Sequence, residues 1–194
     1  MGLPAAAAAI IAVLLSASFI GLGLRKFAKG RDGKYSLTNV QLIMWTGVII
    51  GSYVGISALN GGFLGDLPAN LMELMGISAG SYVTAASTRA AQSGRMKRKH
   101  PAIYQAKRRP PSHGILDLVT AEGDSEHWSI PKLQVLFWTA VAILIYVIVA
   151  ANNFQSGSNS LPDPGSGLVI LMGISHGAYL GNKLSDDPFE ADMP

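Results

Sequence analysis

The sequence predicts an all-α membrane protein of about five transmembrane helices: two parallel copies of a helix-pair unit, with one further helix ahead of them. Three observations predict this: long uncharged runs, a one-sided distribution of basic residues, and an internal repeat.

Charge is scarce and segregated. Only 14% of the 194 residues are charged and 49% are hydrophobic, whereas soluble domains carry about 25% charged residues. Mean hydropathy is +0.32. Leu3–Leu24, Tyr35–Gly65 and Leu133–Pro162 are the long runs that result. An apolar run of roughly 18 residues or more reads as a membrane helix. The expected helices are 3–24, 40–59, 67–87, 133–152 and 165–184, the third interrupted by Glu73. The matching segments are an N-terminal helix and basic loop (1–34), a first helix pair (35–88), a polar linker (89–127), a second helix pair (128–184) and an acidic tail (185–194).

All fifteen Lys and Arg residues fall in the segments after the first and third helices, just before the fourth, or at the end of the fifth. With five spans, these positions share one side of the membrane. The positive-inside rule makes that side cytoplasmic and puts the amino terminus outside. The linker and carboxyl terminus are then cytoplasmic, in an inner or plasma membrane of bacterial or archaeal type. The pI near 9.2 reflects this orientation rather than nucleic-acid binding. Asp66 and Asp163 are the only charges in the two outer loops. Basic residues follow the first apolar run and none precedes it, the reverse of a signal peptide. It is therefore expected to be a retained helix inserted amino end out.

The repeat aligns 35–54 with 128–147, with eight identities in twenty positions: Ser36/Ser129, Gln41/Gln134, Trp45/Trp138, Thr46/Thr139, Val48/Val141, Ile50/Ile143, Tyr53/Tyr146 and Val54/Val147. Leu67-Pro68 recurs as Leu161-Pro162, and Leu74-Met75-Gly76-Ile77-Ser78 as Leu171-Met172-Gly173-Ile174-Ser175. Gly80 and Tyr82 recur as Gly177 and Tyr179. Both units begin and end on the same side, so they are parallel repeats about an axis along the membrane normal. A pseudo-twofold four-helix core with the first helix appended is the expected packing.

Glycines recur every four residues: Gly47, Gly51 and Gly55; Gly76 and Gly80; Gly173, Gly177 and Gly181. Four-residue spacing places each set on one face, where small residues let helix backbones approach closely in lipid. Helix packing is the simpler expectation, ahead of a glycine-lined path. The fourth helix has Ala140, Leu144 and Ile148 where the second has its glycines, so the two units cannot make the same contacts there. Gln41 and Trp45 share a face, as do Gln134 and Trp138; with Tyr82 and Tyr179 they suggest an interfacial aromatic belt or a Gln–Tyr or Gln–backbone bond locking each pair.

Two ionisable residues fall inside helices, Glu73 and His176, where the repeat has Ile170 and Ala79. Such residues are functional candidates by default. At about 1.5 Å per residue they differ in depth by roughly 9 Å, too far for a direct pair in one chain. The plain expectation is an outer-edge carboxylate for Glu73 and a neutral interhelical imidazole for His176; the sharper one is a proton or ion path. The outer run Gly61–Asp66 resembles a potassium-channel filter only superficially, having no room for a pore helix.

The linker carries Arg95, Lys97, Arg98, Lys99, Lys107, Arg108 and Arg109 ahead of Asp117, Glu122, Asp124 and Glu126. Its basic half suits anionic lipid headgroups, each basic residue near the surface contributing about 1 kcal/mol, or an acidic partner. With no cysteine, thiol chemistry and Cys-ligated metals are excluded. No catalytic motif, cofactor fingerprint or metal-ligand spacing is present. The sequence therefore points to a non-catalytic scaffold or accessory subunit, assembling into a homo-oligomer or with other membrane subunits. The alternative is a homo-oligomeric ion or proton pore.

Overall fold

The computed structural model describes residues 3–30, 33–62, 66–99, 101, 114–120, 128–158 and 160–185. It contains five long helices: α1 (Leu3–Phe27), α2 (Leu37–Asn60), α3 (Ala69–Lys99), α4 (Ile130–Ser156) and α5 (Ser166–Ser185). A short 3-10 helix, Gly114–Leu118, lies between α3 and α4. Among the described residues there is no strand, only two isolated bridges, Lys29 with Tyr35 and Thr120 with Trp128. Three helical segments are long and apolar enough to cross a membrane: Ala6–Phe27, Leu37–Asn60 and Ile130–Ser156. The other two helices are more polar, and several of their polar side chains (Ser78, Ser81, Ser175, His176) are buried rather than exposed.

α2 and α4 start and stop in the same way. Each follows a serine in extended conformation, Ser36 or Ser129. The serine N–H donates back across the isolated bridge, Ser36 to the Ala28 carbonyl at 2.9 Å and Ser129 to the Val119 carbonyl at 2.8 Å. Each helix ends on a left-handed glycine, Gly61 (φ 66°) or Gly157 (φ 67°). Those N–H groups bond the Ser57 and Asn153 carbonyls, satisfying helix-end acceptors that only a residue free of Cβ strain reaches easily. Pro131, at the start of α4, sits where a missing N–H costs nothing.

α3 runs twelve residues beyond the expected 67–87. Alanine, glutamine, arginine, lysine and methionine dominate that extension, all good helix formers, and its basic end complements the helix dipole. At 1.5 Å per residue α3 is about 46 Å long, against a hydrocarbon thickness of about 30 Å. The expected linker thus begins as helix.

The main core joins α2, α3, α4 and α5 around Trp45, Ile56, Leu71, Leu74, Tyr146 and Met172, all fully buried. Trp45 meets Tyr146 edge to face, ring centroids 6.0 Å apart. This corrects the belt expectation for Trp45, which lies in the core. α1 packs most extensively on α2. A Cβ on Gly51 would lie 2.5 Å from the Ala12 carbonyl oxygen, one on Gly55 2.6 Å from the Ala12 Cβ, and one on Gly47 2.5 Å from Ile20.

The two ends of the bundle differ chemically. At one end lie Lys29, Lys34, Arg89, Lys132 and Lys183. At the other, Asp163 ties its loop to the start of α3: its Oδ1 accepts the Gly165 N–H at 2.9 Å and the Asn70 side-chain N–H at 2.8 Å. The Gly165 bond first, and the Asn70 bond second, hold the Asp163 carboxyl below its usual range. A folded-state value below the unfolded one stabilises above the ordinary carboxylate pKa of about 3.9, and the contribution is lost as pH falls through the folded value. The side chain is exposed, so solvent screening keeps that contribution small. Asn70→Ala is expected to return the Asp163 titration toward its ordinary midpoint, read by carboxyl carbon NMR. An unmoved midpoint would show that the Asn70 contact contributes nothing.

Candidate functional site

The interior polar cluster of the bundle is built by one side chain from each of α2, α3, α4 and α5. Gln41, Ser81, Thr139 and His176 are all buried. Gln41 Nε2 donates to Thr139 Oγ1 at 2.8 Å and lies 2.6 Å from His176 Nε2. Ser81 Oγ lies 2.6 Å from His176 Nδ1. The Thr139 hydroxyl donates in turn to the Val135 carbonyl at 2.7 Å. One consistent assignment follows. The Gln41 amide spends its two hydrogens on Thr139 and on His176 Nε2, so the neutral ring carries its proton on Nδ1 and donates to Ser81. A protonated ring would set a donor at Nε2 against the Gln41 donor. The cluster therefore suits a neutral imidazole.

Local sequence places each member. Gln41 lies one turn into α2, on the face that also carries Trp45. Ser81 belongs to an inward row on α3 with Leu74, Ser78 and Ala85, spaced three or four residues apart. Thr139 and Val135 lie one turn apart on the buried side of α4. His176 lies between Met172 and Tyr179 on the buried side of α5.

The structure separates the other candidates. Glu73 and Tyr82 are exposed, Gln134 is exposed, and Trp138 is half-buried. The expected Gln–Tyr or Gln–backbone lock does not form at Gln41. Its amide crosses to the other helix pair instead. The repeat shows the difference: the positions corresponding to His176 and Ser81 are Ala79 and Ala178, so of the three partners only the threonine, as Thr46, recurs for Gln134. Gly47, Gly51 and Gly55 lie against α1. Gly76, Gly80, Gly177 and Gly181 have open space where a Cβ would be, and Gly173 has only Ile77 at an ordinary 3.8 Å. Arg95, Lys97 and Arg98 are exposed on the α3 extension, which Lys99 ends. Lys107, Arg108 and Arg109 lie outside the described residues, as do Glu122, Asp124, Glu126 and the acidic tail.

Ser81 and Thr139 had no separate signal in the sequence. Thr139 stood only as one of the repeat identities, and nothing marked Ser81. The charged residues at the basic end of the bundle were equally illegible. Asp117, Lys132 and Lys183 are buried there, although each counts in the sequence as an ordinary linker or flanking charge. Asp117 Oδ2 accepts the Tyr35 N–H at 3.2 Å. Lys132 Nζ donates to the Thr120 carbonyl at 2.8 Å, and Lys183 Nζ lies 5.9 Å from the Tyr179 ring centre.

No protein-family model matches the chain, and neither a curated protein nor a solved structure matches it. Among the described residues, no three His, Asp or Glu side chains gather closely enough to hold a metal ion. The chemistry the cluster supports directly is interhelical hydrogen bonding: a polar clasp joining α2, α3, α4 and α5.

Proposed function

We propose that this chain is a non-catalytic integral membrane scaffold or accessory subunit, with five spans arranged as two parallel helix pairs behind an appended first helix. The observation that carries this reading is the fate of His176. The ionisable side chain nearest mid-helix in α5 is engaged by Gln41 and Ser81, and through Gln41 by Thr139, so that four helices share one hydrogen-bonded point. A group committed to holding helices together suits a rigid architectural core. The matched starts and stops of α2 and α4 support the repeat. The basic end is cytoplasmic by the positive-inside rule. There Arg95, Lys97 and Arg98 on the α3 extension face anionic headgroups or an acidic partner. The open glycine faces, Gly76/Gly80 and Gly177/Gly181, are the surfaces left for neighbouring helices of a homo-oligomer or a larger complex.

A proton or ion pore is the competing reading. The observation on its side is a set of buried polar atoms without partners among the described residues: Gln41 Oε1, Trp45 Nε1, Ser57 Oγ and Ser78 Oγ. Unpaired polar groups are costly away from water, so water entering the bundle would favour this reading. Proteoliposomes separate the two. The scaffold reading expects tight vesicles from pH 5 to 8, the range in which a water-facing histidine changes charge. It also expects a modest loss of thermal stability in His176→Ala, as interhelical bonds average about 0.6 kcal/mol in membranes. A pH-dependent flux abolished by His176→Ala would overturn it. Mass determination after mild detergent extraction should give a particle heavier than one 20.4 kDa chain. A lone monomer would remove the assembly part of the proposal.

A further inference from the structure

We propose that the 3-10 helix Gly114–Leu118 and the adjoining Trp128–Ile130 corner form an interfacial foot. It sits in the headgroup and upper acyl layer of the bilayer, at the basic end of the bundle. Its inner side is pinned to the helix ends. Leu118 packs among Leu37, Val135 and Tyr179, and Asp117 holds the Tyr35 N–H. The chain then pairs back, Thr120 bridging Trp128 and the Val119 carbonyl accepting the Ser129 N–H. The segment is thus held in one place against α2, α4 and α5.

Its outer side is apolar. Ile115 is 75% exposed, Leu116 57%, Trp128 66% and Ile130 77%. Four large apolar side chains on two short, bridged segments make a patch that water would not stabilise. What covers it is indicated by α4. Ile130 is the first residue of an exposed row that continues through Leu133, Phe137, Leu144 and Ile148 at helical spacing. That row is the outward face of a helix long and apolar enough to cross a membrane. A bilayer that surrounds this face reaches Ile130 at its end, and with it the patch. Tryptophan at such an edge suits the interfacial layer, and short apolar segments lie about 5–10 Å into it. The linker is therefore anchored on the membrane surface at this point.

The inference rests on α4 spanning the bilayer, and its test checks that separately. The chain has no cysteine, so single substitutions each take one spin label. Ile115→Cys and Leu116→Cys would be labelled in vesicles of phosphatidylcholine and phosphatidylglycerol. Leu144→Cys serves as the lipid reference and Lys97→Cys as the aqueous one. Labels at 115 and 116 are expected to show several-fold lower accessibility to a water-soluble nickel chelate than the label at 97, with oxygen accessibility approaching that at 144. Nickel accessibility equal to that at 97 would overturn the foot. So would low accessibility to both reagents, which means protein cover. Nickel reaching the label at 144 would sink the spanning reading and the foot together. A second measurement avoids cysteine variants that fail to fold. Lipids brominated near the headgroup end should quench a larger fraction of tryptophan emission in the native chain than in Trp128→Phe; equal fractions would also overturn the proposal.

Discussion

Gly51→Leu is expected to pry α1 off α2 and to lower stability by about 3 kcal/mol, the upper end of the ordinary overpacking cost. The substituted side chain would meet the Ala12 carbonyl oxygen and the Ser16 side chain. A backbone oxygen cannot rotate aside, so the helices must separate, losing the contacts that Gly47 and Gly55 also provide. The change copies the residue at the corresponding position of α4, Leu144, which is 61% exposed. One repeat thus carries glycines where α1 lies, and the other carries bulky side chains where no helix covers it. Gly177→Leu is the contrasting variant. Nothing lies within 4 Å of a Cβ there, so the stability of the single chain should not change, and any effect should appear only as altered assembly in native gels. Denaturant titration in mild detergent would compare the two. Equal midpoints would mean that α1 does not depend on the α2 glycines.

Gln41→Ala is the second large effect, a loss of about 2 kcal/mol. The substitution leaves His176 Nε2 without its Gln41 donor and takes a donor from Thr139 Oγ1. Stranding a buried polar group costs about 1–3 kcal/mol; the expected figure is the middle of that range, above the average of about 0.6 kcal/mol measured for interhelical bonds in membranes. Gln134→Ala, at the corresponding position in the second repeat, should change stability by less than about 0.5 kcal/mol, since that side chain is exposed. The double variant Gln41→Ala/His176→Ala should cost less than the sum of its single changes, because both remove the same contact. Additive losses would show that the amide and the imidazole do not act as a pair. A large loss in Gln134→Ala would show that the clasp is symmetric after all.

Much of this architecture was legible in the residues. Uncharged runs and helical spacing set the helices, and glycine at every fourth position marked the faces where backbones can approach. The ends were less legible. α2 and α4 each begin three residues before the expected 40 and 133, α4 runs four residues past the expected 152, and α3 continues beyond residue 87 through residues that favour helix. Hydropathy also hides which face of an apolar helix meets lipid and which meets another helix, since both are apolar. It therefore showed three glycine faces and could not say that only the one on α2 is filled within the chain.

The sequence by itself determined the helical class, the concentration of basic residues in a few segments, the identities shared by 35–54 and 128–147 and the oddity of a histidine inside a helix. These follow from properties each residue carries alone: transfer free energy, charge, and position along a 3.6-residue period. Tertiary structure alone decided the partners. Gln41 reaches Thr139 and His176, each over ninety residues away in sequence, while Gln134 faces outward. Asp117, Lys132 and Lys183 are buried although composition counts them as flanking charge. A hydrogen bond depends on the distance and direction between two groups on different helices. No periodicity within one helix encodes that, so the clasp and the buried charges became visible only once the helices were packed.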